Sequence, residues 1–261
     1  MNFALPIRTF ALYPLVLAGL ALAIGCGRTI SPRAQWGEVV TQISTYPALS
    51  DGHYQGQIAV SNLVAFGDHG LGTFDGLDGE MVLHEGTVYR VGVDGRAVAA
   101  PLDALVPFAQ VTWFTPDAMY DVMAIDQKLF RTTMAWKQPD IGHVQAIRVS
   151  GIFSEVRVRS VPRQSEPYPS LDSVVADQQV EHTLRNVRGT LIGFFTPTAV
   201  GSVAPGGYHL HFLTNDRSAG GHVLDFKLTA GRIEVDDSPE LRTLLPTLPP
   251  PSDGPPVGKP R

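Results

Sequence analysis

The chain has 261 residues, enough for one large or two modest domains, each with a core of its own. Charged residues make up 17% of it, against roughly a quarter in an ordinary globular protein, and 20 Lys and Arg against 25 Asp and Glu leave a net charge of −5. No basic run stands out, which excludes nucleic acid as a partner, and the low charge content with 44% hydrophobic residues fits a sheet-rich protein.

Residues 1–26 carry one positive charge, Arg8, ahead of an uncharged apolar run that closes on Ala23-Ile24-Gly25-Cys26. A charged start, an apolar stretch and small residues before a cysteine are the layout of a secretory signal ending in a bacterial lipobox. Ala23 stands where leucine or valine is commoner in that pattern. The expectation is an exported protein, lipid-anchored through Cys26 to the cell envelope on its periplasmic or extracellular face. Cys26 is the one cysteine, so acylation would leave no thiol for disulfide or thiolate chemistry.

A polar linker (27–33) follows. Alternating apolar and polar residues then predict strands over 57–66, 80–84, 87–93, 108–114, 144–150 and 155–161. Thr115-Pro116-Asp117 reads as a helix start, with Thr as N-cap and Pro in the first turn, carrying Met119, Met123 and Phe130 on one face. A second helix is predicted over 170–180, with Leu171, Val174 and Val175 inward. Further strands are expected over 189–196, 207–214, 223–229 and 232–235, and the polar, glycine-rich stretch 215–221 is a turn signal. From Pro246 proline and glycine dominate, so the tail (247–261) reads as extended and disordered. These elements divide the chain into a mixed α/β part and a mainly antiparallel part, with the boundary between 165 and 187.

Three of the eight histidines share one local pattern. In Gly207-Tyr208-His209-Leu210-His211-Phe212, strand alternation puts His209 and His211 on one face, and Leu210 and Phe212 on the other. If the following turn is centred between Asp216 and Arg217, His222 falls directly opposite His211. Cross-strand neighbours stand about 4.5–5.5 Å apart at Cβ, close enough for three imidazoles to reach one ion. Three neutral imidazoles suit Zn2+ and leave open positions, which marks a catalytic rather than a structural site. Buried, hydrogen-bonded packing is the alternative for any single histidine, and His53, His69, His84, His143 and His182 are assigned to surface or packing.

Two more stretches stand out. The loop 67–80 packs Gly67, Gly70, Gly72, Gly76 and Gly79 with Asp68, Asp75, Asp78 and Glu80. It reads either as a pair of tight turns that need positive φ or as a mount for one carboxylate, Glu80, at a sheet end. In Val156-Arg157-Val158-Arg159 the two arginines share one strand face, where arginines are more often simply solvated.

Together these segments resemble the alpha-acetolactate decarboxylase family. The likeness rests on Leu71-Gly-Thr-Phe-Asp-Gly-Leu-Asp-Gly-Glu80-Met, Phe153-Ser-Glu-Val-Arg-Val-Arg159-Ser-Val-Pro, Gly189-Thr-Leu-Ile-Gly-Phe-Phe, and Gly207-Tyr-His209-Leu-His211-Phe through Gly-Gly-His222-Val, in that order. The resemblance implies an α/β fold of the sheet-rich α+β kind. A mixed-sheet domain (34–170) able to pair across a homodimer would precede an antiparallel, barrel-like domain (171–246) carrying zinc. It implies 2-acetolactate as substrate, His209, His211 and His222 as metal ligands, and Glu80, Thr73 and Arg159 as site residues, with Arg157 the neighbouring alternative. Family members also carry a glutamate shortly after a Leu-Pro near the C-terminus. Here Leu245-Pro246 is followed by Thr-Leu-Pro-Pro-Pro-Ser-Asp-Gly, where only Asp253 offers a carboxylate. Two rival readings stay open: a zinc hydrolase, although His-Glu-x-x-His is absent, and a zinc-binding lipoprotein that has lost its chemistry.

Overall fold

A computed structural model of the chain describes residues 38–138, 142–200 and 203–248. The expectations for the signal, Cys26, the linker and Asp253 lie outside those residues. In chain order the elements begin with β1 (Val39–Ile43), α1 (Tyr46–Ser50), β2 (Ile58–Ala59), α2 (Val60–Leu63), β3 (His69–Thr73), β4 (Glu80–His84) and β5 (Thr87–Val91). They continue with β6 (Ala97–Ala99), β7 (Leu105–Val106), β8 (Phe108–Thr112), β9 (Ala118–Asp126), α3 (Gln127–Lys137), β10 (Val144–Ser160) and α4 (Leu171–Gln178). The last are β11 (Val180–Thr196), β12 (Gly207–Thr214), β13 (Gly220–Ser238) and β14 (Glu240–Leu244).

Seven strands form the first sheet in the order β14-β1-β8-β3-β4-β5-β6. All its pairs are antiparallel except β1 with β14, which makes the sheet mixed. The second sheet, β10-β11-β12-β13-β9, is antiparallel throughout, and β10 also pairs with β13, so the pairing of β10 to β13 returns on itself. The second sheet thus begins at Ala118, and β14 goes back to the first. The two sheets do not divide the chain at 170/171.

Apolar side chains from both sheets meet in two clusters. One holds Val40, Leu71, Val144, Ala146 and Phe194, and the other Val82, Val91, Ile192 and Leu213. A third core, with Phe130 and Met134 of α3 set on Phe153, Phe212 and Phe226, fills the far side of the second sheet. Each large side chain buried there contributes roughly 2 kcal/mol.

Several expected elements change on folding. The stretch 57–66 holds only a two-residue strand. Val60 and Leu63, three apart and both buried, turn into one core as helix spacing allows and strand alternation does not. No helix starts at Thr115: the Asp117 carboxylate accepts from Asp237 N (2.8 Å), and residues 118–126 become β9 along the open edge of β13. The helix begins at Gln127 instead, where the Asp126 side chain accepts from Leu129 N (2.7 Å). The second helix forms nearly as expected, with Ser170 as its cap and Val174 buried. The pairs 144–150 with 155–161, and 223–229 with 232–235, prove to be single long strands. They cross at Gly151 opposite Gly231, where a Cβ on Gly151 would come within 2.4 Å of the Ala230 carbonyl oxygen.

Candidate active site

His209 and His211 lie on β12, and His222 lies near the start of β13, paired across the ladder with His211 as the turn geometry required. Alternation turns Leu210 and Phe212 into the core behind them. Each histidine offers one ligand nitrogen, and these lie within 4.8 Å of one another. His211 Nε2 and His222 Nδ1 are 3.4 Å apart, about the separation of two nitrogens on one tetrahedral ion.

The protonation of the cluster follows from its surroundings. Burial holds His209 down to about 4 and drives His211 and His222 well below the ordinary imidazole value, with Arg159 lowering all three further. His211 Nδ1 faces the Met81 carbonyl at 2.8 Å, so in the neutral ring it donates its N–H there and Nε2 keeps a lone pair toward the cavity. His209 Nδ1 is buried without a partner.

Glu80 opens β4 and pairs with Thr73 at the end of β3. Its Oε2 is 3.4 Å from His211 Nε2, and its Oε1 is 3.8 Å from Arg159 Nη1. Burial pushes its carboxyl up to about 7 against the lowering pull of Arg159. A lone pair on His211 facing a carboxylate at this distance needs a cation or a proton between them, so the donor set and the orphaned His209 nitrogen both fit a bound metal ion.

The loop before Glu80 accounts for its own composition. Gly79 has φ +80°, and a Cβ there would stand 2.3 Å from the Val91 carbonyl oxygen. Thr73 Oγ1 donates to the Gly79 carbonyl at 2.7 Å. Asp78 pairs with Arg90 and Asp75 with Arg163, each at 2.5 Å, and Asp68 accepts from Phe114 N (2.9 Å). Three of the four acids are therefore structural, and Glu80 alone faces the histidines.

Arg159, on β10, pairs with His222. Arg157 sits half exposed beside Glu181 at 3.6 Å, away from the histidines. All six residues singled out in the sequence (Thr73, Glu80, Arg159, His209, His211 and His222) line one cavity of about 190 Å³. An apolar wall of Leu49, Leu77, Phe108 and Leu171, which cluster together with Tyr46, completes the lining along with Pro205 and Gly206. Sequence reasoning missed that wall, because it assembles from α1, the 3-10 turn at Asp75–Leu77, β8 and α4, which no local motif connects. It also missed the Met81 carbonyl, which carries no side-chain signal.

The alpha-acetolactate decarboxylase family profile matches residues 40–249. An alpha-acetolactate decarboxylase of Methanosarcina mazei is 42% identical over 200 residues, covering 76% of this chain and 69% of that one. One from Methylococcus capsulatus is 38% identical, covering 84% and 85%. The crystal structure of alpha-acetolactate decarboxylase from Bacillus subtilis superposes with a TM-score of 0.78 at 34% identity, covering 80% of this chain and 90% of that one. On its sequence, its fold and the matching stretches that build this cavity, the chain belongs to the alpha-acetolactate decarboxylase family.

Proposed function

We propose that the protein is a carboxy-lyase that converts 2-acetolactate to acetoin and carbon dioxide, with a zinc ion held by His209, His211 and His222. The observation that carries this reading is the convergence of three neutral imidazoles, a buried carboxyl and a guanidinium on one cavity in a chain of this family. Three nitrogen ligands and no thiolate suit a catalytic zinc with positions left for substrate. When bound, such an ion supplies Lewis acidity toward the carbonyl oxygen next to the carbon that loses its carboxylate.

The side chains divide the remaining work. Arg159 orients the substrate carboxylate by charge-assisted hydrogen bonds and offsets negative charge as the C–C bond breaks. That bond's electron pair passes into the neighbouring carbonyl, giving an enediolate, and one proton on the former carboxyl-bearing carbon then yields acetoin. Glu80, whose carboxyl burial pushes up to about 7, can exchange a proton near neutral pH and stands where it can bond the substrate hydroxyl or return a proton to carbon. Thr73 acts at one remove, tying down the Gly79 carbonyl beside Glu80. The leucine and phenylalanine wall excludes water and leaves room for the two methyl groups of the substrate.

The same proposal includes export with lipid on Cys26, supported by the N-terminal pattern, and a homodimer, supported by the family likeness. The closed pairing of β10 to β13 supports a barrel-like second domain. The test is formation of carbon dioxide and acetoin from racemic acetolactate by protein lacking residues 1–26, with and without a zinc chelator. Chelator-sensitive acetoin production is expected. Folded, zinc-loaded protein without turnover would sink the proposal and favour a zinc-binding protein that has lost its chemistry, a reading motivated by the missing glutamate after Leu245-Pro246.

A further inference from the structure

The site is split between two sheets, with Glu80 on the first and Arg159 and the histidines on the second. Two side chains of the second sheet reach backbone carbonyls of the first on either side of Glu80. One is His211, bound to Met81, the next residue along β4. The other is Ser160, whose Oγ donates to the Val91 carbonyl at 3.0 Å. Val91 is Glu80's cross-strand partner on β5, and its carbonyl lies against Gly79. Ser160 is fully buried, so this bond forms in a low dielectric, and its loss would leave a carbonyl one partner short.

We propose that Ser160 is a positioning residue for the catalytic pair. It ties the Arg159 backbone to the strand beside Glu80, and so sets the 3.8 Å approach of guanidinium to carboxyl across the gap between sheets. No other hydroxyl on β10 reaches the first sheet among the described residues: Ser150 Oγ bonds Thr190, and Ser154 Oγ bonds the Lys227 carbonyl, both within the second sheet. A shift of some tenths of an ångström at Arg159 would misplace the substrate carboxylate during bond breaking, which acts on turnover more than on binding. The inference rests on the substrate-facing role given to Arg159 above.

A double-mutant cycle tests it. Ser160→Ala should lower kcat about tenfold while changing KM less than about twofold and leaving zinc content unchanged. In the Arg159→Ala background the same substitution should cost less than about twofold, because the group it positions is gone. An equal factor in both backgrounds would mean that Ser160 acts only through general stability and would overturn the proposal. A crystal structure of the Ser160→Ala protein gives a readout independent of turnover. The Arg159–Glu80 approach should widen or become heterogeneous, and an unchanged approach refutes the idea even if acetolactate proves not to be the substrate. Full turnover by Arg159→Ala alone would instead count against the proposed function.

Discussion

His69 offers the sharpest test of the energetics, because it is buried outside the histidine-lined cavity and its charge state can be isolated. It lies on β3 opposite His84, with its ring stacked on Phe114 at 4.6 Å and edge-on to Phe194 at 5.7 Å. Its Nε2 meets the Gly193 carbonyl of the second sheet at 3.3 Å. Burial lowers its pKa from 6.5 to about 3, against a smaller raising effect of that carbonyl. The folded state therefore resists a proton that the unfolded chain accepts readily. A histidine depressed in this way contributes its full stability above pH 6.5 and loses it as pH falls toward 3. Between pH 7 and pH 5 the loss comes to about 2 kcal/mol for this one group, since the unfolded chain is protonated and the folded one is not. His69→Gln keeps an N–H for the Gly193 carbonyl but cannot titrate. At pH 7 the variant should be less stable by about 1 kcal/mol, from lost ring stacking. By pH 5 that deficit should vanish or reverse, because only the wild type suffers the linkage. Urea denaturation midpoints of both proteins at pH 7, 6 and 5 measure the difference, and other titrating groups cancel from it. A stability gap that stays constant over this range would show that folded His69 takes its proton as easily as the unfolded chain, and would refute its burial as a neutral ring.

Further outcomes follow from the site and its supports. Arg159→Ala should keep fold and zinc while turnover falls by about 10² or more, whereas Arg157→Ala, half exposed beside Glu181, should stay within about twofold of wild type in the same acetoin assay. Gly79→Ala should lower stability by about 2 kcal/mol or more, read as a drop in melting temperature, since it combines positive φ with a Cβ 2.3 Å from the Val91 carbonyl oxygen. An unchanged melting temperature would mean that the turn can relax. Phe212→Ala should cost about 3–5 kcal/mol in urea denaturation, because the ring is fully buried behind the histidine strand against Phe153 at 5.2 Å. A loss under about 1 kcal/mol would show that the site's backing can collapse around the gap.

Legibility in the sequence followed the range of the interactions concerned. The histidine hairpin could be read because alternation and turn chemistry are local: His209, His211 and His222 lie within fourteen consecutive positions, and one turn sets their register. The false helix at Thr115 came from the same kind of local signal. There Asp117 has the chemistry of a helix start but spends its carboxylate on Asp237 N, 120 positions away, because β13 leaves an open edge that residues 118–126 can pair with. Local propensity favoured a helix, and long-range pairing overrode it. Likewise Gly151 and Gly231 look like strand breaks one at a time, yet facing each other they let two long strands cross without interruption.

The contrast between Arg157 and Arg159 follows from the same cause. On an ideal strand the two share a face, and sequence alone could not choose between them. In the structure β10 pairs with β13 through a register shift between Arg157 and Val158, so Arg157 faces Asp225 while Arg159 faces His222. The two arginines nonetheless keep a common face of β10, because Val156 and Val158 are both buried on the other, and it is position along the strand that puts Arg159 in the cavity and Arg157 half exposed beside Glu181. Such placement depends on how two distant segments are aligned, and neither segment announces it. The histidines, Glu80 and Arg159 were visible as residue types at fixed spacing. What brings the three histidine nitrogens to within 4.8 Å of one another, and the Arg159 guanidinium to 3.8 Å from Glu80, is strand register and a few cross-sheet hydrogen bonds, and substitutions there should be expected to damage turnover without touching a ligand.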